Sequence, residues 1–445
     1  MSGMQRETRP NVIWILGDQH RGQALGCNGD PNAHTPFLDN LAETGVNFIN
    51  AVGGFPLCCP FRGSMLTSRY PHHCVPGHEY ALPADQPTIA QVFNQAGYDT
   101  AYFGKWHLDG FHERNGRAAM HIIPPERRGG FRHWVGYENN NSQYDCWVHG
   151  GEGKDAFHYR LPEYETDALT GMLVDYIRGH KEEAFFAVLS VQPPHNPYIA
   201  PAETRRGYNA GSIRLRPNVP PVKSVEEQAR RGLAGYYAMI ENLDMNVGRV
   251  QQALEEAGID RRTHVFFFSD HGDMHGSHGH YMKTSPYEES IRIPCILGGE
   301  GITYDGRRGG RHPVPFNHVD FAPTSLGLCG IDAPEWMEGT DYSGCRLASR
   351  PLPKEMPDSA FIQSVIPTMH GHSIDRPWRG IVTTDGWKYV CLPGVPWLMF
   401  NLNEDPYEFV NLAYNTVHRV MRKKLQDRLA RWIAETGDEF PLPEV

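Results

Sequence analysis

The apolar run Val12-Ile13-Trp14-Ile15-Leu16, followed at once by Gly17-Asp18-Gln19, is the stretch of sequence that decides the fold. Five consecutive apolar residues suit a strand that is buried on both faces, as in a parallel sheet covered by helices. Polar residues that follow such a strand lie at the carboxyl edge of the sheet, where α/β proteins bind their ligands. The stretch therefore predicts a central strand that delivers the Asp18 carboxylate to a binding crevice.

Outward from this strand, short apolar runs alternate with helical patterns along the chain. Further strands are predicted at residues 100–103, 185–191, 264–268 and 294–297. Apolar residues at helical spacing predict helices at residues 36–44, 89–96, 169–177, 224–257 and 321–328. This alternation predicts an α/β fold, with one large domain in which a mostly parallel central sheet lies between helices.

The C-terminal quarter of the chain has a different pattern. Pro351, Pro353 and Pro357 mark a linker near residues 345–358. Beyond it, short strand-like pieces are predicted at 380–384, 387–392 and 398–402, and one basic helix at 417–433. We therefore predict a large α/β domain over residues 1–350 and a small α+β subdomain over 351–445. Residues 108–160 are predicted to be a long, loop-like excursion.

Composition excludes several classes of partner. A net charge of −10 argues against nucleic acid, which needs a basic face. Every apolar run is far shorter than the ~20 residues of a membrane helix, so we predict no membrane span. Residues 1–10 are polar and suggest no signal peptide. Nine cysteines are an odd number and no disulfide framework, which favours reduced thiols and a cytoplasmic location. The oligomeric state, a homo-oligomer included, stays open.

Charged and imidazole side chains follow four of the predicted strands. They are Asp18 after the first, Lys105 and His107 after the second, His195 after the third, and Asp270-His271 after the fourth. Because parallel strands end at one edge, these groups are expected to meet there. Asp18, Asp270 and His271 could share one divalent cation. A binuclear zinc site is conceivable, but no second carboxylate-rich cluster matches this one, and a single metal is favoured.

The segment Cys58-Cys59-Pro60-Phe61-Arg62 is the most specific feature of the sequence. Pro60 suits the first turn of a helix, so Cys58 is predicted at a helix N-terminus, where free backbone amides favour anions. Arg62 follows one turn later and can face the same point. The alternative, a small buried hydrophobic cysteine, explains neither the proline nor the arginine.

This segment, with Leu66-Thr67, resembles the sulfatase signature, in which the cysteine is oxidised to formylglycine after synthesis. The resemblance covers nearly the whole chain. Further blocks resemble sulfatase segments in the same order: His34-Thr35-Pro36, Gly104-Lys105-Trp106-His107-Leu108, Pro194-His195-Asn196-Pro197-Tyr198, Ser269-Asp270-His271-Gly272, Lys283, Asp320-Phe321-Ala322-Pro323-Thr324 and Asn401-Leu402-Asn403-Glu404-Asp405-Pro406.

The resemblance implies an alkaline-phosphatase-like domain and a set of site residues. The implied metal ligands are Asp18, Asp270, His271 and the formylglycine made from Cys58. Arg62 would hold the nucleophile. The other implied catalytic residues are Lys105 and His107 at the sulfate and the formylglycine hydroxyl, and His195 and Lys283 at the leaving-group oxygen. A formylglycine-generating enzyme would be a partner during maturation.

The chain departs from the common sulfatase pattern in three ways, and two of these departures resemble one branch of the family. Gln19 stands where many members have a second acid, His271 where many have Asn, and Phe61 and Ser68 replace Ser and Gly of the signature. The Asp-Gln and Asp-His pairs resemble the branch that holds choline-sulfatase-like enzymes and phosphonate monoester hydrolases. The implied cofactor is one divalent cation, with Ca²⁺ favoured and Mn²⁺ a competitor because of the nitrogen ligand.

The activity implied by the resemblance is hydrolysis of a small sulfate monoester to an alcohol and inorganic sulfate, through a covalent sulfo-enzyme on formylglycine 58. The same groups would suit a phosphonate monoester or phosphodiester, which is the alternative, although Lys105 and His107 favour sulfate. A non-catalytic binding protein is disfavoured, because a competent residue fills each implied position. Trp106, Trp134, Tyr144 and Trp147 could stack on the organic half of the substrate or simply pack.

Overall fold

The computed structural model describes residues 9–299, 309–371 and 374–444. Residues 1–8, which make up most of the segment that suggests no signal peptide, lie outside the described residues. Among the helices of the described ranges, none combines the length and the apolar character that a membrane crossing requires. All nine cysteines lie in the described ranges, and seven of them are buried.

Two sheets organise the described chain. The large sheet contains ten strands: β1 Asn11–Asp18, β2 Val46–Phe48, β3 Asp99–Lys105, β4 His133–Tyr137, β5 Trp147–Gly150, β6 Phe157–Arg160, β7 Phe185–Pro194, β8 Thr263–Ser269, β9 Cys295–Gly298 and β10 Gly310–His312. The small sheet contains four: β11 Ser359–Ser364, β12 Trp378–Thr383, β13 Trp387–Leu392 and β14 Val395–Asn401.

The described helices are α1 Pro36–Thr44, α2 Cys58–Thr67, α3 Ile89–Gln95, α4 Glu165–Gly179, α5 Ala202–Arg205, α6 Lys223–Ala257, α7 Glu288–Ile291, α8 Phe321–Leu328 and α9 Arg419–Glu435. Each helix predicted from apolar spacing is present. The long α6 begins one residue before the predicted start at 224 and ends at the predicted residue 257.

The large sheet has the order β10-β2-β9-β8-β1-β7-β3-β4-β5-β6. Its five central strands, β8, β1, β7, β3 and β4, are parallel, whereas both flanks contain antiparallel pairs. The sheet is therefore mixed, and its parallel centre confirms the predicted α/β class. The central strands are the ones that carry the polar residues of interest at their carboxyl ends.

β1 shows why the sheet needs helices on both faces. Val12, Trp14 and Leu16 enter one apolar core, together with residues of α2, α3 and α8. Ile13 and Ile15 enter a second core on the opposite face, together with residues of α1, α4 and α6. All five side chains are fully buried. Side chains alternate between the two faces of a strand, so an unbroken apolar run requires cover on both.

The small sheet is antiparallel throughout and lies between α9 and the large domain. Phe361, Ile381 and Tyr389 face Leu425 and Leu429 of α9. The alternate residues of the same strands, such as Ile362, pack with Val52 and Ile291 of the large domain. The predicted strand pieces thus form one sheet, to which β11 adds a strand that was not predicted. The domain boundary at residue 350 stays a prediction.

The prediction of a loop over residues 108–160 was wrong in part. This region contains β4, β5 and β6, which extend the large sheet beyond β3. β4 carries Trp134 and Val135 between glycine and polar residues, and β5 and β6 are only four residues long. Strands this short give too few alternations for the apolar period to be recognised.

Candidate active site

Four neighbouring parallel strands bring the predicted groups to one edge of the sheet. β1 ends at Asp18 and β3 ends at Lys105. β7 ends at Pro194, one residue before His195, and β8 ends one residue before Asp270. The strand order β8-β1-β7-β3 makes these ends adjacent in space. The expected convergence at the carboxyl edge is therefore present in the structure.

Helix α2 begins at Cys58, so the thiol lies at a helix N-terminus, as the sequence predicted. The Cys58 Sγ atom lies 3.1 Å from Lys283 Nζ, 3.2 Å from His271 Nε2 and 3.7 Å from Asp18 Oδ1. Burial and the Asp18 carboxylate both raise the pKa of this thiol. Lys283 and Lys105 outweigh them, and the net pKa lies below its ordinary value.

The neighbouring Cys59 has a different environment. It accepts a hydrogen bond from the Glu79 backbone N–H at 3.3 Å and is fully buried. Burial, followed by the proximity of Cys58, raises the pKa of the Cys59 thiol far above its ordinary value. Of the two adjacent cysteines, only Cys58 faces the cluster of charged groups.

The four predicted metal ligands form one cluster. One donor atom each from Asp18, Cys58, Asp270 and His271 lies within 4.8 Å of the others, and all four residues are buried. His271 Nδ1 donates to the Gly272 carbonyl at 3.0 Å, so in the neutral ring its Nε2 carries a lone pair directed at the cluster. Asp270 Oδ1 accepts two backbone N–H groups at 3.0 Å, while Oδ2 is buried without a hydrogen-bond partner.

This donor set fits a divalent cation. Two carboxylates and an imidazole lone pair that converge inside a protein repel one another unless a cation lies between them. The unpartnered Oδ2 of Asp270 is the kind of buried oxygen that a metal ligand requires. Asp18, Asp270 and His271, with an oxygen at residue 58, would hold the ion.

Arg62 joins the cluster to three structural elements. Its guanidinium lies 3.2 Å from Asp18 Oδ2 and 3.6 Å from Asp270 Oδ2. It also donates to the Lys105 carbonyl and to Ser190 Oγ, both at 2.8 Å. The side chain is fully buried. These contacts with β1, β3 and β7 fix the position of a charge that would otherwise be costly to bury.

Lys105 and His107 occupy the side of the site next to β3. Lys105 Nζ forms an ion pair of 2.8 Å with Asp18 Oδ2. Burial would raise the pKa of Asp18, but Lys105, His195, Lys283 and Arg62 together hold it well below its usual range. Burial, followed by the charge of Lys105, holds the pKa of His107 well below its ordinary value. His107 is therefore a neutral imidazole, and its buried Nδ1 has no hydrogen-bond partner.

Lys283 and His195 form a pair on the opposite side of Cys58. Lys283 Nζ lies 3.0 Å from His195 Nε2, and His195 Nδ1 lies 2.7 Å from the Asn196 carbonyl. A carbonyl only accepts, so His195 Nδ1 carries the proton and Nε2 accepts from Lys283. Burial, followed by Lys283, holds the pKa of His195 well below its ordinary value. The proton nearest to Cys58 is thus on Lys283, and His195 orients it.

Sequence reasoning missed three residues around this cluster. Ser190, the single hydroxyl in the apolar part of β7, contacts both Arg62 and the Lys105 carbonyl. His78 lies on a loop, with its ring 5.6 Å from that of His107. His370 comes from the loop between β11 and β12, with its ring 5.4 Å from that of His78. Ser190 stands out as a polar residue in an apolar run, whereas neither histidine belongs to a recognisable motif.

The aromatic residues that were considered as a stacking surface have different environments. Trp106 is fully buried and Trp134 nearly so, and their rings pack edge to face with centroids 5.0 Å apart. These two serve the core and are not available to substrate. Tyr144 is 48% exposed, and Trp147 is half-buried and packs on His158.

Comparison with known proteins decides the family. The model of the sulfatase family matches residues 10–331, which is more than half of the chain. The chain is a member of the sulfatase family. A second model, described as the C-terminal part of N-sulphoglucosamine sulphohydrolase, matches residues 276–435. The sulfatase assignment from the Cys58 segment is thereby confirmed.

Individual relatives cover nearly the whole of this sulfatase. An ulvan-active sulfatase of Formosa agariphila is 35% identical over 97% of this chain and 83% of its own. A choline-sulfatase of Rhizobium meliloti is 27% identical over 97% of this chain and 88% of its own. The structure of the sulfatase-family protein yidJ from Bacteroides fragilis superposes with a TM-score of 0.86 at 27% identity, covering 99% of this chain and 98% of that one.

Proposed function

We propose that this sulfatase hydrolyses a sulfate monoester to an alcohol and inorganic sulfate, through a covalent sulfo-enzyme at residue 58. The observation that supports this most directly is the environment of Cys58, whose Sγ lies within 4 Å of Lys283, His271 and Asp18 at the start of α2. Together with Lys105, these ionisable groups come from four separate parts of the chain and all act on this one thiol. A structural cysteine needs none of them.

The proposal includes oxidation of Cys58 to formylglycine by a generating enzyme during maturation. The hydrated aldehyde carries two hydroxyl groups on one carbon. One hydroxyl loses its proton and attacks sulfur, and the alcohol leaves. The other hydroxyl then loses its proton, the carbon–oxygen bond to sulfate breaks, and the aldehyde re-forms for hydration by water. Sulfate is thus released without attack of water on sulfur.

A divalent cation, Ca²⁺ rather than Mn²⁺ in this proposal, would supply Lewis-acid stabilisation of negative charge at the sulfuryl group. Its ligands would be Asp18, Asp270, His271 and residue 58. The carboxylates outnumber the nitrogen ligand, which favours the harder ion.

The cationic side chains have separate roles in this proposal. Arg62 keeps residue 58 and the carboxylates of Asp18 and Asp270 in fixed positions relative to one another. Lys105 places an ammonium beside the transferred group, and the neutral His107 offers a hydrogen bond there. Lys283 donates its proton to the departing alkoxide, with His195 holding the ammonium in position through the 3.0 Å contact. This assigns the proton to Lys283 and an orienting role to His195.

The organic half of the substrate would contact the side chains of His78 and His370. Burial, followed by Lys283, lowers the pKa of His78 to about 4 and that of His370 to about 3, so both rings are neutral near pH 7. His370 Nδ1 donates to the Gly371 carbonyl at 2.9 Å, which leaves Nε2 as an acceptor. A neutral acceptor suits a hydroxyl donor, so we propose that the alcohol is a polyhydroxylated one, such as a sugar.

Location and maturation complete the proposal. A cytoplasmic location is supported by the odd number of cysteines, nine, which suits reduced thiols better than a disulfide framework. The partners proposed are the small sulfate ester and the formylglycine-generating enzyme, without nucleic acid or membrane.

Two variants of adjacent cysteines test the proposed nucleophile. Cys58→Ala removes the oxidisable side chain and is expected to abolish sulfate ester hydrolysis, whereas Cys59→Ala is expected to keep it. Peptide mass spectrometry of the active wild-type protein should locate, at residue 58, the loss of one sulfur and two hydrogens and the gain of one oxygen. An aldehyde at residue 59, or a fully active Cys58→Ala protein, would overturn the proposal.

A further inference from the structure

We propose a second metal site, for a borderline transition-metal ion such as Zn²⁺, formed by Asp99, His133 and His180 at the edge of the sheet opposite the catalytic residues. One donor atom from each lies within 4.8 Å of the others. Asp99 is the first residue of β3, His133 is the first residue of β4, and His180 directly follows α4. Three elements that are distant in sequence thus bring two imidazoles and a carboxylate to one point.

The hydrogen bonds around His180 point to a cation. His180 Nδ1 donates to the Tyr176 carbonyl at 2.9 Å, so in the neutral ring Nε2 carries only a lone pair. That Nε2 lies 3.5 Å from Asp99 Oδ2. A lone pair that faces a carboxylate is repulsive unless a proton or a metal ion lies between the two atoms. The ring is also stacked on Tyr176, with centroids 4.1 Å apart, and cannot easily turn away.

His133 completes the ligand set. Its Nε2 lies 3.0 Å from Asp99 Oδ2, and its ring centroid lies 4.9 Å from that of His180. A metal ion would replace the proton that His133 now shares with Asp99. Tyr176 donates its hydroxyl hydrogen to Asp99 Oδ2 at 2.8 Å and would orient the carboxylate as a ligand.

The electrostatic surroundings favour a cation at this place. The C-terminus of the 15-residue helix α4 lies at His180, and helix C-termini attract positive charge. Arg132 is the opposing charge, but its guanidinium is half-exposed and 4.0 Å from Asp99 Oδ1, on the oxygen that does not face the histidines. His133 has 47% of its side chain exposed, which gives an ion direct access from solvent.

The donor chemistry selects the kind of metal. Two imidazole nitrogens and one carboxylate oxygen suit Zn²⁺, Ni²⁺, Co²⁺ or Cu²⁺, with water at the remaining positions. The same set is poor for Ca²⁺, which requires six to eight oxygen ligands. The two proposed sites of this protein would therefore differ in preference, and the second would clamp the end of α4 to the starts of β3 and β4.

Calorimetric titration of Zn²⁺ into protein already saturated with Ca²⁺ tests the site. His133→Ala and His180→Ala each remove one ligand, and each should lower the affinity for one equivalent of Zn²⁺ by more than about 10-fold. Loss of a residue that only supports a ligand already costs about that much. The matched control is His34→Ala, because His34 pairs with Glu241 at 3.3 Å on the surface and belongs to none of the candidate metal clusters among the described residues. Any zinc that displaces calcium at the proposed catalytic centre contributes the same binding signal in the wild type and in the three variants.

Two further measurements show whether zinc binds at this site. A crystal of the wild type soaked in Zn²⁺ should show anomalous density between the three side chains. Zinc should also raise the melting temperature of the wild type and of His34→Ala more than that of His133→Ala. Hydrolysis by the Ca²⁺-loaded variants should match the wild type. Equal zinc binding by the wild type and both ligand variants, or no anomalous density, would show that Asp99 holds a protonated histidine instead and would overturn the proposal.

Discussion

At the scale of single residues, Asp270 shows how the site prepares a carboxylate for a metal. One oxygen is held by two backbone N–H groups, and the other is buried without a hydrogen-bond partner. The first oxygen fixes the direction of the second. The Arg62 guanidinium, 3.6 Å from that second oxygen, is too far for a hydrogen bond and compensates its charge only in part.

Asp270→Ala should remove the catalytic metal. The variant leaves Asp18 as the single carboxylate ligand, and losing a ligand should cost more than the roughly 10- to 100-fold in affinity that losing a supporting partner costs. Metal analysis after dialysis in Ca²⁺ should give one ion per wild-type chain and none for the variant. Asp273→Asn is the control, because Asp273 accepts hydrogen bonds from Gln19 and Tyr198 and is not one of the four clustered ligands. Two calcium ions per wild-type chain, or undiminished calcium in Asp270→Ala, would contradict the single-metal site.

The positions of site residues could be predicted from the sequence where strand direction alone determines them. Asp18, Lys105, His195 and Asp270 follow parallel strands, so their convergence follows from strand direction. His370 could not be predicted in this way, because its position depends on how the small sheet packs against the large domain. That packing is set by contacts such as Val52 with Ile362, which have no local signal in the sequence.

At the scale of elements, Glu165 joins α4 to two strands of the large sheet. It is the first residue of α4, and its Oε1 accepts from the Tyr137 hydroxyl at 2.6 Å and from the Gln192 N–H at 2.8 Å. Its Oε2 is buried without a partner. Burial raises the pKa of this carboxyl from 4.5 to about 7.

Glu165→Gln should change the pH dependence of stability. Below pH 4.5 the carboxyl is protonated in the folded and in the unfolded protein, so it makes no pH-dependent contribution to stability. Between pH 4.5 and about 7 only the unfolded protein loses this proton, so the stability of the wild type falls as the pH rises. Gln keeps both hydrogen bonds and does not titrate. Between pH 4.5 and pH 8, the free energy of unfolding of the variant should therefore rise by about 1–3 kcal/mol relative to that of the wild type, as measured by denaturant unfolding. Glu163→Gln, an exposed neighbour, is the control. A stability difference that does not vary with pH would contradict the raised pKa.

The elements themselves were predictable in proportion to their length. The 35 residues of α6 give many helical repeats, and the predicted bounds differ by one residue. β2 and β10 have three residues each and give no period to detect. Four of the five parallel central strands, and β9 on one flank, were therefore predictable, whereas β4 and the other flanking strands were not.

At the scale of the whole molecule, a loop of the small sheet reaches the candidate active site at the edge of the large sheet. The loop after β11 brings His370 to His78, and the charges of Lys283 and His271 reach its ring. In the proposed function, this loop of the small sheet would contact the organic half of the substrate.

His370→Ala should separate binding of the organic group from chemistry. We expect KM for a sulfated saccharide to rise about 3- to 10-fold, the value of one hydrogen bond, with kcat little changed. For a nitrophenyl sulfate, which offers no hydroxyl to this residue, both constants should be close to the wild type. His418→Ala is the control, because His418 packs on Trp387 of the small sheet. A loss of kcat on both substrates would instead place His370 in the catalytic machinery.

In the proposed function, the cations around residue 58 are arranged for sulfate monoesters. The most direct test is kcat/KM for a matched pair of sulfate and phosphonate monoesters, and for a phosphodiester, on fully formylglycine-modified enzyme. Lys105 adds an ammonium beside the transferred group, so the sulfate ester should have the highest value. Lys105→Ala should lower it by roughly 10²- to 10³-fold, the usual cost of one preorganised electrostatic group. A higher kcat/KM for the phosphonate or the phosphodiester would contradict the account.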